Sequence, residues 1–360
     1  TAGLRVALFE RGRHFSSSDF GHDELADSQE PWNRTGLRFG PGPSEVRTYR
    51  PDPDAPARIV TPRDWEFCAL AACVGGGTLS YQALAWRFQP GTFRLKSLYG
   101  AIPKSAVEDW PLTYDDLEPY YEKAEYELGI CGEPSAAGPP RAKPYPIPPL
   151  PDNREAEVLF PAARRLGWKP FRPPLAILSQ EYRGRPVCIR CPNCLSYGCE
   201  VEAKSTTAVT VIPEAIATGL CTLRAETFVR EITVDERGRP NGVVFRGPDG
   251  RWQELRAKLI VVAASATETP RLLLNSKSKW FPDGLGNRAD QVGRHLHADI
   301  ASAVFGFFDE VVGDLLGPGP SCALDFQFEN SPVPGGGVMY NSCSRLPLRV
   351  VNTVPQPAGS

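Results

Sequence analysis

No stretch of this sequence approaches the run of about 18–20 apolar residues that a membrane-spanning helix needs. No basic-then-apolar leader stands at its start. There is no excess of charge of either sign: 40 Lys and Arg against 42 Asp and Glu leave a net charge of −2. That balance points away from nucleic acid and from anionic membranes as partners. Methionine is almost missing, with Met339 alone in 360 residues, and Thr1 rather than methionine stands first. A processed chain, or a fragment cut at both ends, is the expectation. Histidine is scarce too: His14, His22, His295 and His297 are all there are.

What is present describes an ordinary globular chain. Its length suits one large domain or two interleaved ones, and its 41% apolar and 23% charged residues are typical of a soluble protein with a sizeable core. Proline is abundant, at 37, and many prolines fall between Pro139 and Pro186, where a long non-helical excursion is expected. The ten cysteines are unevenly spread. Cys188, Cys191, Cys194 and Cys199 sit together, whereas Cys68, Cys73, Cys131, Cys221, Cys322 and Cys343 are scattered and read as small buried hydrophobes.

The chain is organised around Val74-Gly75-Gly76-Gly77-Thr78-Leu79-Ser80-Tyr81. Three glycines strip the side chains from one short piece of backbone, so it can approach something flat or anionic with its amides free to point there. A tight turn or a close helix–sheet contact would use the same residues. Upstream, residues 4 to 9 read as a short buried strand ending in Glu10. In a dinucleotide-binding βαβ unit the second strand ends in such an acid, which hydrogen-bonds a ribose hydroxyl; the matching glycine fingerprint would fall before Thr1. Residues 14 to 65 are polar and rich in Gly, Pro and Asp, and read as loops. Thr113 is a good N-cap for a helix from Tyr114 to about Leu128, with acids in its first turn and an apolar face of Leu117, Tyr120, Tyr121 and Ala124. Residues 231 to 245 read as a β-hairpin turning at Glu236-Arg237-Gly238-Arg239. Lys258 to Ala263 is nearly unbroken apolar sequence, as central parallel strands are. After Asp299 the alternation through Gln327-Phe328 is that of an antiparallel sheet.

Cys188, Cys191, Cys194 and Cys199 have the spacing C-x2-C-x2-C-x4-C. Short loops between thiolates let one chain wrap a small inorganic core. The first three match ferredoxin-type ligation, although Glu200 stands where ferredoxins have proline. Zinc is a second reading, and disulfides or free thiols a third.

Four stretches together resemble the glucose–methanol–choline (GMC) oxidoreductases. They are Val74 to Phe88; Asp109-Trp110-Pro111 with Tyr114 to Tyr121; Val261 to Leu274; and Gly284-Leu285-Gly286-Asn287 with Gln291 to Leu296. The resemblance implies an α/β fold, with a Rossmann-type FAD-binding domain and an interleaved antiparallel-sheet substrate domain. It implies FAD contacts from Glu10 at the ribose, from Gly75, Gly76, Gly77 and Thr78 beside the flavin and pyrophosphate, from Val229 at adenine, and from Ala264 and Ala266 near the phosphates. Where Ser265 stands, the family usually has glycine. The domain layout that follows is 1–100, the first part of the FAD-binding domain; 101–187, the helix and proline-rich excursion; 188–300, the cysteine loop and second part of the FAD-binding domain; and 301–360, the start of the substrate domain.

Within that family the chain is similar to the large FAD subunits of gluconate, sorbitol and glucose dehydrogenases. These carry a cysteine-rich loop before a stretch like Gly198-Cys199-Glu200-Val201-Glu202-Ala203-Lys204, and some hold an iron–sulfur cluster. That likeness implies Cys188, Cys191, Cys194 and Cys199 as metal ligands and oxidation of a CH–OH group of a sugar, polyol or sugar acid. Electrons would pass to a cytochrome or quinone, with a small subunit and cytochrome c as partners, at the periplasmic face of the inner membrane. The family's catalytic histidine lies beyond residue 360, so no catalytic residue is assigned and the chain by itself is expected to show no turnover. The alternative is a cysteine-bound metal or electron-transfer module without substrate chemistry of its own.

Overall fold

The computed structural model describes residues 3–21, 45–51, 54–61, 70–103, 105–135, 138–192, 194–195, 197–296, 302–304, 306, 308–310, 312–313, 316–326 and 337–341. In chain order the elements are β1 (Val6–Phe9), β2 (Arg47–Tyr49), β3 (Arg58–Val60), a 3-10 turn (Gly76–Leu79), α1 (Leu95–Tyr99), α2 (Tyr114–Leu128), α3 (Arg154–Arg165), β4 (Pro170–Phe171), α4 (Val211–Ala217), β5 (Cys221–Arg224), β6 (Phe228–Val234), β7 (Pro240–Arg246), β8 (Trp252–Arg256), α5 (Ser265–Asn275), β9 (Ala323–Phe326) and β10 (Gly337–Tyr340). No helix among the described residues is long and apolar enough to cross a membrane. The chain divides into two units that interleave in sequence. One takes residues 1–14, 72–74 and 215–304; the other takes 15–71, 75–214 and 305–360.

In the first unit β1 runs parallel to β5, from Val6 opposite Cys221 to Phe9 opposite Arg224. Strands β6, β7 and β8 form an antiparallel meander. The expected hairpin is present and its turn has a clear cause. Asp235 Oδ1 accepts the Arg237 and Arg239 amides at 2.9 Å each, and Gly238 takes the left-handed conformation at φ +76°. The core of this unit is Ile232, Val243, Phe245 and Leu285, with Leu272 and Leu273 of α5 packed against it. The Ile232 amide also donates to Ser276 Oγ just beyond α5, at 2.9 Å.

Residues 258 to 263 depart from expectation. Ile260 and Val262 reach that core, but Leu259 and Val261 are 74% and 80% exposed. The stretch pairs with no strand among the described residues. A strand is buried on both faces only when neighbours and covering helices close over it, and here one face is left open.

In the second unit β2 pairs with β3, and β4, β9 and β10 make a three-stranded antiparallel sheet. The alternation predicted after Asp299 therefore forms a ladder only at β9 and β10 among the described residues. The core gathers Ala83, Ile130, Cys131, Ile147, Leu175, Ile177, Leu178 and Ala203. Helix α2 begins and ends as its sequence dictates. Thr113 Oγ1 accepts the Asp116 amide at 3.2 Å, Asp116 Oδ2 accepts the Thr113 amide at 2.7 Å, and Gly129 closes the helix in the left-handed region at φ +74°.

The buried face of α2 is not the apolar one. Tyr120 is 68% exposed, while Tyr114 and Glu125 are buried. The inward stripe is Tyr114, Glu118, Tyr121 and Glu125, because Arg87 lies against it. Arg87 donates from Nε and Nη2 to the two Glu125 oxygens at 2.8 Å each, and from Nη1 to Tyr114 Oη and Glu118 Oε1 at 3.0 Å each. Arg141 bonds the same Glu125 carboxylate, with Nη1 to Oε1 at 3.1 Å and Nη2 to Oε2. A buried guanidinium must find carboxylates, and that demand outweighs the leucine and tyrosine pattern of the helix.

Candidate functional site

Four of the expected cofactor residues, Glu10, Val229, Ala264 and Ala266, belong to the first unit. Glu10 follows the carboxyl end of β1. Its amide donates to the Arg224 carbonyl at 3.0 Å, and its carbonyl accepts the Thr227 amide at 2.9 Å, two residues before Val229. The Gly12 amide donates to Glu10 Oε1 at 2.7 Å, which aims the carboxylate along the strand end. Burial pushes this carboxyl upward, against the Gly12 amide and the Arg11 charge that favour ionisation. Arg11 then joins the other stretches. Its guanidinium stands over the Phe228 ring at 5.2 Å and pairs with Glu268 in the first turn of α5 at 3.9 Å. Glu10, Val229 and the stretch at Ala264–Ala266 thus lie around one strand end. The Arg11–Glu268 pair that links them was not foreseen, since 257 residues separate its partners.

Ala264 precedes α5, and Ala264, Ser265 and Ala266 are exposed. Ser265 has φ +78°, a conformation that favours glycine. This is the position where glycine is usual in the sequence resemblance. The Ser265 hydroxyl accepts the Glu268 amide at 3.3 Å, a bond within the first turn of α5.

The second unit holds the glycine run. Gly75 takes φ +96° and opens a 3-10 turn from Gly76 to Leu79. A Cβ at Gly75 would come within 3.0 Å of the Ala208 side chain, whereas one at Gly76 or Gly77 would meet nothing within 4 Å. The first glycine is favoured by its left-handed backbone and this tight contact, Gly76 by its own φ of +54°, and Gly76 and Gly77 leave an open backbone face. Thr78 is used internally: its Oγ1 donates to the Gly75 carbonyl at 2.5 Å and accepts the Thr207 amide at 3.2 Å. Just before the run, and in the first unit, the Val74 amide donates to the Arg13 carbonyl at 3.1 Å. A Cβ on Gly12 would fall 1.8 Å from the Ala72 carbonyl oxygen.

Cys188, Cys191, Cys194 and Cys199 line one pocket, together with Ile177, Val201 and Lys204. All four are free thiols. Burial pushes Cys188 up to about 11 and Cys194 up to about 12, so both are neutral thiols near pH 7. Among the described residues no three His, Cys, Asp or Glu side chains close around a single ion. Lys204 is 2% exposed. Its Nζ donates to the carbonyls of Tyr197 at 2.6 Å, Cys194 at 2.9 Å and Tyr81 at 3.2 Å. Burial pulls this ammonium down to about 8, with the neighbouring cysteines acting in the opposite direction. Sequence reasoning placed the four cysteines together but assigned nothing to Lys204; a lysine directly after the small residue of a Gly-Cys-x-x-x-Ala-Lys stretch was the available signal. Of the histidines, His14 and His295 are exposed, while His22 and His297 lie outside the described residues, as do Cys68 and Cys343.

The residues present fit an FAD. In the first unit an acid stands at the end of a parallel strand and small residues lead into α5; in the second, taken by itself, a side-chain-free turn leaves one face open. Comparison with known proteins agrees. The family model for GMC oxidoreductase matches residues 103–301. Paromamine 6'-oxidase of Streptomyces fradiae is 31% identical over 363 residues, covering 98% of this chain and 61% of that protein. Fructose dehydrogenase large subunit of Gluconobacter japonicus is 32% identical over 62% of this chain and 40% of its own length. Gluconate 2-dehydrogenase flavoprotein of Pantoea cypripedii is 24% identical over 100% of this chain and 63% of its own length. The chain thus spans less than two thirds of these relatives. It belongs to the GMC oxidoreductase family, with the α/β fold of that family: a Rossmann-type FAD-binding domain interleaved with an antiparallel-sheet domain.

Proposed function

We propose that this chain is the FAD-binding portion of an oxidoreductase that oxidises a CH–OH group of a sugar, polyol or sugar acid. FAD, when bound, supplies the acceptor for the hydride of the alcohol carbon. The chain's own residues bind and orient it. Glu10 accepts a hydrogen bond from the adenosine ribose, the Val229 backbone meets adenine, and Ala264 and Ala266 leave room at the phosphates. The open face of Gly76 and Gly77, with Gly75 and Thr78 shaping the turn, admits the flavin side. The observation that carries the reading is the gathering of Glu10, Val229 and the start of α5 around one strand end, tied by Arg11 and Glu268.

The finer part of the proposal concerns electron transfer. Cys188, Cys191, Cys194 and Cys199 are proposed as ligands of an iron–sulfur cluster serving a small subunit and a cytochrome c or quinone acceptor. Four thiols on one pocket supply the right donor chemistry. In the described arrangement they must converge and lose protons before they could hold a cluster, and no step is derived through it. The domain layout predicted from sequence stands as part of the same proposal.

The test is cofactor binding by the full-length protein. Glu10 touches only the adenosine half of FAD, so Glu10→Ala should weaken FAD by about tenfold, or about 1.4 kcal/mol, and leave FMN binding unchanged. Flavin absorbance near about 370 and 450 nm reports both. Equal loss of FAD and FMN affinity, or none, would refute the assignment. Bound metal without any flavin would favour an electron-transfer module instead.

A further inference from the structure

The cysteine pocket and the glycine turn are joined by one side chain. Residues 203–207 form a buried spine in the second unit. Its backbone pairs with residues 176–178, through Leu178 N to the Ala203 carbonyl at 2.9 Å and Ser205 N to the Ala176 carbonyl at 2.8 Å. From this spine Thr207 reaches one end of the glycine turn, its amide to Thr78 Oγ1 at 3.2 Å and its hydroxyl to the Gly75 carbonyl at 3.4 Å. Ser205 receives Tyr81 Oη on its carbonyl at 2.5 Å. Lys204 reaches both ways at once. Two of its three donors go to the cysteine loop, at the Cys194 and Tyr197 carbonyls, and the third goes to the Tyr81 carbonyl that closes the glycine turn.

An ammonium is the side chain that can do this. It has three rotatable donors on one atom, whereas a guanidinium spreads its donors in a plane. A buried cation is costly unless fully hydrogen-bonded, and here every donor has a carbonyl. Methionine or leucine at this position would leave three carbonyls without that partner. The cysteine loop makes its own contact with the spine through Cys199 Sγ, which accepts the Lys204 amide at 3.5 Å.

We propose that Lys204 is a positioning residue that locks the cysteine loop to the glycine turn, so that loading of the pocket thiols is transmitted to residues 75–81. The pocket takes a thiophilic cation as its ligand class. The inference rests on the proposed function only for what the turn faces, namely the flavin; the lock itself is a property of these residues.

The experiment uses full-length protein, a monofunctional mercurial as the thiol probe, and hydrogen exchange of the amides in peptides spanning 75–81 and 188–199. In the wild type, mercurial uptake should change exchange across 75–81 by about threefold or more. In Lys204→Met, exchange across 75–81 should rise before any mercurial is added, and mercurial should then change it no further. Lys204→Arg should recover the charge but not the response. A pocket that takes up no mercurial, an unchanged 75–81 response in the wild type, or a full response in Lys204→Met would each overturn the proposal. The wild-type arm decides the matter if the variants fail to fold. Flavin absorbance recorded on the same samples separates the two readings: coupled exchange without bound flavin keeps the lock and removes the flavoenzyme assignment, and bound flavin without coupled exchange does the reverse.

Discussion

Replacing Glu125 with glutamine should cost more stability than removing either arginine that binds it. The carboxylate is buried and receives bonds from Arg87 at 2.8 Å and 2.8 Å and from Arg141 at 3.1 Å and a second, shorter bond. Burial works against the Arg87 charge, and the bonds to Glu125, Tyr114 and Glu118 more than offset it, raising its pKa. Glu125→Gln leaves two largely buried guanidinium groups sharing an amide. Removing one member of a buried pair costs about 3–5 kcal/mol; Arg87 keeps Glu118 and Arg141 keeps its stacking on Tyr145 at 3.6 Å, so about 3 kcal/mol is expected. Arg141→Met leaves Glu125 fully engaged by Arg87 and should cost about 1–2 kcal/mol. Arg87→Met should fall between the two. The double variant Arg87→Met/Glu125→Gln should be less destabilised than the sum of its parts by about 1–2 kcal/mol. Urea unfolding at constant m-value reads these differences. A Glu125→Gln cost below about 1 kcal/mol, or strict additivity in the double variant, would show that the network is a surface ornament and not a buried keystone.

Two further outcomes follow from packing and from ionisation. Gly12→Ala would drive a Cβ to 1.8 Å from the Ala72 carbonyl oxygen. The backbone on both sides must then move, and a loss of about 3 kcal/mol or more is expected; an unchanged melting temperature would contradict that packing. Burial raises the Cys131 and Cys322 thiols from 9.0 to about 11. Because the folded thiols hold their protons longer than the unfolded ones, their contribution is intact below pH 9 and is lost as pH rises toward 11. About 1.4 kcal/mol should be gone at pH 10 from Cys131, and less from Cys322, whose charge solvent screens more. Cys131→Ala should flatten that decline, and stability that stays level to pH 10.5 would refute it.

The parts of the molecule that were readable in the sequence are those set by neighbours along the chain. Thr113 and Asp116 cap α2 across one turn, and Asp235 with Gly238 makes the β6–β7 hairpin. The parts that were not readable depend on distant partners. The inward face of α2 is chosen by Arg87, 38 residues before Glu125 in the chain, and a helical periodicity cannot register a guanidinium arriving from elsewhere. Leu259 and Val261 have the composition of a buried strand, but burial depends on what covers them, which composition does not record. The candidate site divides in the same way. Glu10, the glycine run and the cysteine cluster announce themselves by residue type and spacing. Arg11 with Glu268, and Lys204 with its three carbonyls, are visible only once the chain has folded.

Ser265 carries a consequence for how this family can vary. A left-handed serine costs about 1 kcal/mol relative to glycine, and a hydroxyl bonded within the first turn of a helix returns only roughly a few tenths of a kcal/mol relative to glycine. At φ +78° with the Glu268 amide on its oxygen, the strain is offset only in part. Glycine in place of this serine is therefore expected to stabilise the fold slightly, so whatever keeps a hydroxyl at this corner acts against the preference of the backbone.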